Sequence, residues 1–255
     1  MDVTSVALLS GAGVAAGLAS SVAGLASLFS YPALLAAGLP PLTANMTNTV
    51  AMLATTLGAA GGSRHELRGQ GRRLGKIVAA ATVGGSAGAA LLLTTPADTF
   101  EVVVPWLIAL GSVLLLLRDR LRQAADIRAA RRGRERSPGA GFAAAFVAVT
   151  IYSGYFGAGA GIMMLAVLSI SLPDRLPVAN ALKNIASGAA NGTAAIAFAI
   201  LAPVNWTAAV SLAAGSFLGA WLGPMLVRRL PERPLRIGIA LAGLGLATHL
   251  LVQAL

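Results

Sequence analysis

Apolar runs of roughly 20 residues recur along this chain and are separated by short polar or basic segments. A run of that length can cross the hydrocarbon core of a bilayer as one helix. The composition agrees, because 56% of the residues are hydrophobic and only 11% are charged, whereas soluble domains contain about 25% charged residues. The sequence therefore predicts an all-α polytopic membrane protein.

The net charge of +10 comes from 19 Lys and Arg residues. They lie almost entirely in short loops beside the apolar runs, as the positive-inside rule predicts, so we expect no nucleic-acid partner. The chain has no cysteine, and its two histidines, His65 and His249, are far apart in sequence. We therefore expect no metal site, no cofactor and no thiol chemistry.

The apolar pattern divides the chain into residues 1–117, a basic linker over 118–138, and residues 139–255. Each half begins with a long interrupted stretch, 3–38 or 141–172, and in the first of these Pro32 is expected to break or kink a helix. The remaining helices are predicted over about 44–61, 77–93, 100–117, 179–201, 206–227 and 235–253.

The two halves resemble each other at a fixed offset of 135 residues. Ala44 and Asn45 correspond to Ala179 and Asn180, and the other matches are Gly24 with Gly159, Gly84 with Gly219, Gly88 with Gly223, and Pro96 with Pro231. Alanine and glycine are abundant here, so each match is weak, but together they predict a duplication.

Loop charge indicates how the two copies are oriented. The loop after the 44–61 helix has five Lys or Arg residues, and its counterpart at 202–205 has none. The loop near 94–99 has no Lys or Arg, whereas its counterpart at 228–236 has four Arg. Matching loops then lie on opposite sides of the membrane. The prediction is two inverted-topology repeats, each a broken helical hairpin followed by three transmembrane helices, about eight to ten segments in all. Loops 64–76, 118–136, 173–183 and 228–236 are then cytoplasmic.

A polar stripe runs along the helix predicted around Leu176 to Ala197. Asn180, Asn184, Ser187 and Asn191 follow each other at steps of four, three and four, which places them on one face. Lys183 lies beside that face and is the one Lys or Arg well inside an apolar segment, so it should face a cavity rather than lipid. Asn45 and Thr49 begin the matching stripe in the first half.

The glycine-rich starts of the halves, GLASSVAGLASLFSYPAL and GYFGAGAGIMMLAVL, and the helices TANMTNTV and VANALKNIASG that follow them resemble the TauE/SafE family of sulfite exporter-like permeases. The resemblance covers nearly the whole chain, although its motifs are degenerate. It implies a permease of the bacterial cytoplasmic membrane for sulfite, sulfoacetate or other organosulfonates, usually in the export direction.

We expect a small anionic substrate to bind near the midplane, where the broken hairpins meet the striped helices. Amide, hydroxyl and ammonium groups would supply hydrogen bonds and charge, and glycine breaks would expose backbone N–H groups. The candidate residues are Gly24, Tyr31, Asn45, Asn48, Thr49, Tyr155, Gly157, Gly159, Gly161, Asn180, Lys183, Asn184, Ser187 and Asn191.

Each candidate also has a plainer interpretation. Asn45 and Asn180 could be helix N-caps, Lys183 could extend to the cytoplasmic interface, and Asn191 could join two helices. The glycines and tyrosines could serve packing alone. Lipid contacts of the basic linker and a homodimer are also left open.

No Asp or Glu lies in the middle of an apolar run, which argues against a carboxylate proton relay. The sequence shows no nucleophile with a base, no paired membrane carboxylates and no HExxH motif, so it does not favour an enzyme. The alternatives kept are a permease or uptake carrier for a different small anion or metabolite, and a structural subunit.

Overall fold

The computed structural model describes residues 3–23, 26–55, 71–132, 139–172, 176–227 and 232–254. Within these ranges the chain forms ten helices and no strand. They are α1 (Val3–Ala23), α2 (Ser27–Ala36), α3 (Pro41–Ala51), α4 (Gly71–Thr94), α5 (Ala97–Arg132), α6 (Ala140–Tyr155), α7 (Ala160–Ser171), α8 (Leu176–Leu201), α9 (Trp206–Val227) and α10 (Glu232–Ala254).

Both long apolar stretches are divided into two contacting helices, α1 with α2 and α6 with α7. In the first stretch, however, the chain does not break at Pro32, which was expected to break or kink a helix. Pro32 lies inside α2, while α1 ends at Ala23 and α2 begins at Ser27. A proline in a short helix removes one backbone hydrogen bond, and the packing of α2 against its neighbours compensates for that loss.

Corresponding helices in the two halves start at a constant spacing. Helices α3, α4 and α5 begin at residues 41, 71 and 97, and α8, α9 and α10 begin at residues 176, 206 and 232, so each pair differs by 135. Packing contacts also correspond when each helix is replaced by its counterpart in the other half. Helix α1 packs on α9 as α6 packs on α4, and α2 packs on α10 as α7 packs on α5.

The α1–α9 contact depends on glycine. A Cβ atom at Gly17 would collide with the backbone of Ser216, and one at Gly13 would lie 2.9 Å from the Ser216 nitrogen. Glycines of α9 approach α1 in the same way, because Gly215 faces Ser10 and Gly219 faces Val14. The hydrophobic effect does not drive helices together within a bilayer, because lipid tails are as apolar as the side chains. Van der Waals packing between closely spaced helices stabilises the contact instead. The residue numbers of the contacting partners rise together along the two helices, so α1 and α9 run parallel.

Helix α3 lies at the centre of the bundle and packs against α2, α5, α8 and α9. Five consecutive residues, 44–48, are buried, which requires neighbours on every side of the helix. Three of them, Asn45, Thr47 and Asn48, are polar. A buried polar group needs a hydrogen-bond partner, so the position of α3 concentrates polar contacts in the interior.

The periphery is apolar. Trp106, Trp206, Phe217 and Trp221 are all more than half exposed, and such surfaces are expected of helices that face lipid. Among the described helices, Gly71–Thr94, Ala97–Leu117 and Val178–Leu201 are long and apolar enough to cross a membrane, and five further apolar helices have 10–17 residues.

The basic segments differ from the loops that were expected. Residues 71–76, predicted as part of a basic loop, form the first turns of α4, and residues 118–132 of the linker continue α5 without interruption. Residues 64–70, 133–138 and 228–231 of these segments lie outside the described ranges. At 1.5 Å per residue, the 36 residues of α5 extend about 54 Å, longer than a bilayer core.

Candidate functional site

The centre of the candidate site is the α6–α7 break, residues 156–159. Gly157 has a φ of 80° and Gly159, the residue that precedes α7, has a φ of 76°. Residues other than glycine rarely adopt this left-handed backbone conformation, so the GAGAG sequence allows the chain to turn here. The Tyr152 hydroxyl donates a hydrogen bond to the Ala158 carbonyl at 2.6 Å and fixes the turn.

Asn45 joins α3 to the end of α6. Its Nδ2 donates to the backbone carbonyl of Tyr155 at 2.9 Å, although the two residues are 110 positions apart. The carbonyl near a helix C-terminus has no partner within its own helix, and the amide satisfies it. Asn45 is 1% exposed, and its Oδ1 is buried without a hydrogen-bond partner.

A second polar contact joins α3 to α2. The Ser30 hydroxyl lies within hydrogen-bond distance of Oδ1 of Asn48 and of the Ala26 carbonyl, so its single hydrogen is shared between two acceptors. Tyr31, the next residue of α2, donates from its hydroxyl to the Pro41 carbonyl at 3.3 Å. These contacts attach the start of α3 to the short helix before it.

Asn191 brings α8 to the break. Oδ1 of Asn191 accepts a hydrogen bond from the Ser153 hydroxyl at 2.8 Å. A Cβ atom placed on Gly157 would lie 3.8 Å from the same Oδ1, so this asparagine reaches the turn itself. Because Oδ1 is used by Ser153, the Nδ2 group is the part of this amide that could donate to a ligand.

The rest of the α8 stripe extends away from the break. Asn180 is exposed, while Lys183, Asn184 and Ser187 are half-buried. The Ser187 hydroxyl oxygen is buried without a hydrogen-bond partner. The 11 residues from Asn180 to Asn191 span about 16 Å of helix, so the stripe connects the break to the start of α8.

Four aromatic rings pack together at the end of α6, where Tyr155 and Phe156 lie. The Tyr31 ring meets Phe156 edge-on with centroids 5.5 Å apart. The Phe100 ring of α5 lies 6.0 Å from Tyr155 and 6.4 Å from Phe156. Aromatic pairs of this geometry add packing energy beyond the area they bury.

The structure brings part of the predicted set together. Asn45, Tyr155, Gly157, Gly159 and Asn191 meet at the break. Asn48 and Tyr31 join the same region through α2, whereas Asn180 does not reach it. Thr49 donates to the Asn45 carbonyl of its own helix at 3.0 Å, Gly161 lies in the first turn of α7, and Gly24 lies outside the described residues.

The N-cap interpretation of the two asparagines is wrong. Asn45 is the fifth residue of α3, which has Pro40 as its N-cap, and Asn180 is the fifth residue of α8. Helix start signals in the sequence are ambiguous here because proline, at Pro41 and Pro177, occupies the first turn in both helices and is itself favoured there.

Sequence reasoning missed Ser30 and Ser153 as contact residues, and it did not predict the partner of Thr47. Thr47 Oγ1 accepts from the backbone nitrogen of Asn205 at 3.2 Å, and Asn205 Oδ1 in turn caps α9 by accepting from the Ala208 nitrogen at 3.0 Å. Ser30 and Ser153 stand inside the glycine-rich stretches, but a lone serine gives no signal for a partner that is distant in sequence.

The described residues of the site supply hydrogen-bond donors and the ammonium group of Lys183, rather than catalytic groups that make or break covalent bonds. The Nδ2 group of Asn191 lies near the turn, where the N–H groups of Ala160 and Ile162 already donate to backbone carbonyls of the turn itself. Lys183 lies on α8 about two turns before Asn191. A helix N-terminus also favours a negative charge. In the part of the chain that is described, no three His, Asp or Glu residues are grouped to hold a metal ion.

Comparison with known proteins identifies the chain as a transporter. The family model for "Sulfite exporter TauE/SafE" matches residues 9–250. The chain is 27% identical over 249 residues to the "Probable membrane transporter protein YfcA" of Escherichia coli K12, covering 94% of this chain and 87% of that one.

A "Probable membrane transporter protein" of Haemophilus influenzae is 29% identical over 231 residues, which cover 87% of this chain and 84% of its own length. No solved structure gives a significant match. The relatives and the family are transporters and not enzymes, in agreement with the absence of catalytic motifs in the sequence. The chain is therefore a multi-pass helical membrane protein that belongs to the TauE/SafE family of membrane transporters.

Proposed function

We propose that this transporter moves a small sulfur-containing anion, such as sulfite, sulfoacetate or another organosulfonate, out of the cell across the bacterial cytoplasmic membrane. The substrate binds near the midplane between two inverted repeats, and export proceeds by alternating access. A carrier for a different small anion or metabolite, or one that works in the uptake direction, is the alternative.

Helix directions support inverted repeats. Thr47, near the start of α3, contacts Asn205 after the end of α8, and Leu53 beyond α3 lies near Gly192 in the middle of α8. Because the partner's number falls as the α3 number rises, α3 and α8 run antiparallel. They occupy corresponding places in the two halves, and their opposite directions are what inverted topology requires.

Loop charge then orients the protein. The loop at 202–205 and the turn at 95–96 carry no Lys or Arg. These loops face the outside, and the basic segments 64–76, 118–136, 173–183 and 228–236 face the cytoplasm. In this orientation the start of α3 lies near the outer surface and the start of α8 near the cytoplasm.

The single observation that supports the site best is the contact of Asn191 with Ser153 and Gly157 at the α6–α7 break. It places an amide donor, a glycine turn and the N-terminus of α7 together within the bundle. Lys183 on the same helix gives a positive charge on the cytoplasmic side of that turn. An anion needs this combination of donors and charge when it leaves water.

Export of an anion needs no proton relay. With the cell interior negative, each negative charge that leaves gains about 2.3 kcal/mol per 100 mV of membrane potential. The described helices keep Asp98 and Glu101 at the exposed start of α5 rather than in the bundle interior. We infer facilitated, potential-assisted transport.

Thermal stabilisation of the purified protein tests the substrate class. A ligand that binds only the native state raises the apparent unfolding temperature. The panel is sulfite, thiosulfate, sulfoacetate, taurine, sulfate and chloride, applied to the wild type, Asn191→Ala, Lys183→Ala and the control Thr193→Ala. The Thr193 hydroxyl bonds only to carbonyls of its own helix, at 3.0 Å each.

We expect stabilisation by one sulfur anion in the wild type and the control, and a smaller stabilisation at the same anion concentration in Asn191→Ala and Lys183→Ala. Stabilisation that is unchanged in both variants would move the site elsewhere. Stabilisation by none of these anions would favour the alternative substrate. Flux in liposomes under an imposed potential tests the driving force, and flux that ignores the potential would contradict it.

A further inference from the structure

Corresponding residues of the two repeats have opposite environments. Asn45 is buried and bonded to the Tyr155 carbonyl, whereas Asn180, at the same position of α8, is exposed. Asn48 is buried beside Ser30, whereas its counterpart Lys183 is half-buried. Helices α3 and α8 therefore lie in one bundle that is closed at the Asn45 end and open at the Asn180 end.

We propose that the Asn45–Tyr155 contact and the rings of Tyr31, Phe100, Tyr155 and Phe156 form an outer gate, closed here. We also propose that a matching cytoplasmic gate closes in the alternate state by contact of Asn180 with the Ser20 carbonyl. This inference rests on the inverted repeats of the proposed function. It adds the residues that close each end of the pathway and identifies the described state as open to the cytoplasm.

The partner of Asn180 follows from the offset between the repeats. Tyr155 of α6 corresponds to residue 20, which is Ser20 of α1, and Asn45 corresponds to Asn180. If the two repeats exchange conformations, the Asn45–Tyr155 bond opens and an equivalent bond forms at the other end. The acceptor is a backbone carbonyl near the end of a helix in both cases, so the exchange needs no particular side chain at position 20.

The two gates are not equally strong. The counterparts of the four aromatic residues are Ala166, Leu235, Ser20 and Ser21. The outer gate therefore has ring contacts that the cytoplasmic gate lacks. Aromatic pairs favour the state in which they form, so the resting protein is open to the cytoplasm, which suits an exporter that loads there.

The chain contains no native cysteine, so introduced pairs can be cross-linked without background. The test pair is Ser20→Cys with Asn180→Cys, treated in membranes with dibromobimane, a short bifunctional thiol reagent. The matched control pair is Ser20→Cys with Ile196→Cys, because Ile196 is exposed on the same helix α8. Cross-linking is read on a gel and requires no substrate.

We expect the test pair to cross-link and the control pair not to. Adding Asn45→Ala removes the hydrogen bond of the outer gate and should speed cross-linking of the test pair about fivefold. Phe156→Leu, which keeps an apolar side chain but removes ring contacts, should act in the same direction and serves if Asn45→Ala does not fold.

The proposal is overturned if both single cysteines react with a thiol label but the pair never cross-links, or if neither substitution changes the rate. Failure of the substrate proposal is distinguishable from this. A pair that cross-links in a protein stabilised by no sulfur anion keeps the gates and rejects the substrate. A protein that binds a sulfur anion but fails the cross-linking test keeps the substrate and rejects the gates.

Discussion

Asn45 is a buried amide that joins α3 to the end of α6. It satisfies a helix-end carbonyl at Tyr155 while its own Oδ1 has no partner. A buried polar group that is only partly satisfied costs free energy. At the residue scale Asn45 therefore combines one tight contact with an acceptor that a water hydrogen could use.

Asn45→Ala should lower the unfolding temperature in detergent by about 2–6 °C, because a buried carbonyl loses its donor at a cost of about 1–2 kcal/mol. Thr49→Ala is the control, one turn further along α3, because its hydroxyl bonds to its own helix. That substitution should stay within about 0.5 kcal/mol of the wild type. Equal unfolding temperatures for both variants would mean that the Asn45–Tyr155 bond does not hold α3 in place.

Asn191→Asp should weaken anion binding strongly. A carboxylate at about 5 Å from a bound monoanion repels it by about 3 kcal/mol at an effective dielectric constant of about 20, which is roughly a 100-fold loss of affinity. Asn191→Ala removes the amide without adding charge and should cost only about tenfold. Isothermal titration with the stabilising anion separates the two, and equal losses in both variants would place the anion away from Asn191.

Close helix crossings at glycine are the main feature at the scale of secondary-structure elements. Helix α4 contacts both α6 and α8 through neighbouring glycines, since a Cβ on Gly84 would collide with Thr150 and one on Gly85 would lie 2.5 Å from the Cα of Ala190. Helices with such backbone contact cannot accept a larger residue without separating. These crossings hold α6 and α8 against a common helix and so place Ser153 beside Asn191.

Gly85→Ala should destabilise the protein by about 2 kcal/mol or more, because the backbone of Ala190 must move to admit the methyl group. Gly75→Ala is the matched control on the same helix, where a Cβ would meet nothing within 4 Å. It should stabilise the helix by about 0.5–1 kcal/mol. Thermal unfolding of the two variants tests this, and a Gly85→Ala protein as stable as the control would contradict the close α4–α8 crossing.

At the scale of the whole molecule, the constant spacing of helix starts and the exchange of packing partners relate the two halves. Helix α3 lies opposite α8, and each repeat contributes one polar helix to the centre. Corresponding pairs of helices pack together, but the polar residues at corresponding positions differ, since Asn48 corresponds to Lys183. A transporter of this kind can present different chemistry to the two sides of the membrane.

Labelling of cysteines introduced at Arg72 and Thr207 tests the inverted topology. Each is the exposed second residue of its helix, α4 or α9, and they differ by the same 135 positions. With inverted repeats, Thr207→Cys should react in intact cells with a membrane-impermeant maleimide, and Arg72→Cys should react only after permeabilisation. Labelling of both positions from the same side would indicate parallel repeats. The absence of native cysteine removes background labelling.

The sequence by itself determined the helices. Predicted segments such as 206–227 coincide with helix α9, and the breaks after Ala23 and Tyr155 fall in the glycine-rich stretches. Length and hydrophobicity act locally, so they can be read from neighbouring residues. The exceptions lie where tertiary packing overrides the local pattern. Pro32 stays inside α2, α3 ends at Ala51 within the segment 44–61 that was predicted as one helix, and the linker continues α5 as far as Arg132.

Only the tertiary structure decided which polar residues meet. Asn45 and Tyr155 are 110 residues apart and Ser153 and Asn191 are 38 apart, and no periodicity relates the members of either pair. The stripe predicted Asn180 and Asn191 to be equivalent parts of one face, yet one is exposed and the other reaches the break. Burial depends on what neighbouring helices cover, and that is set by glycine crossings between distant segments of the chain.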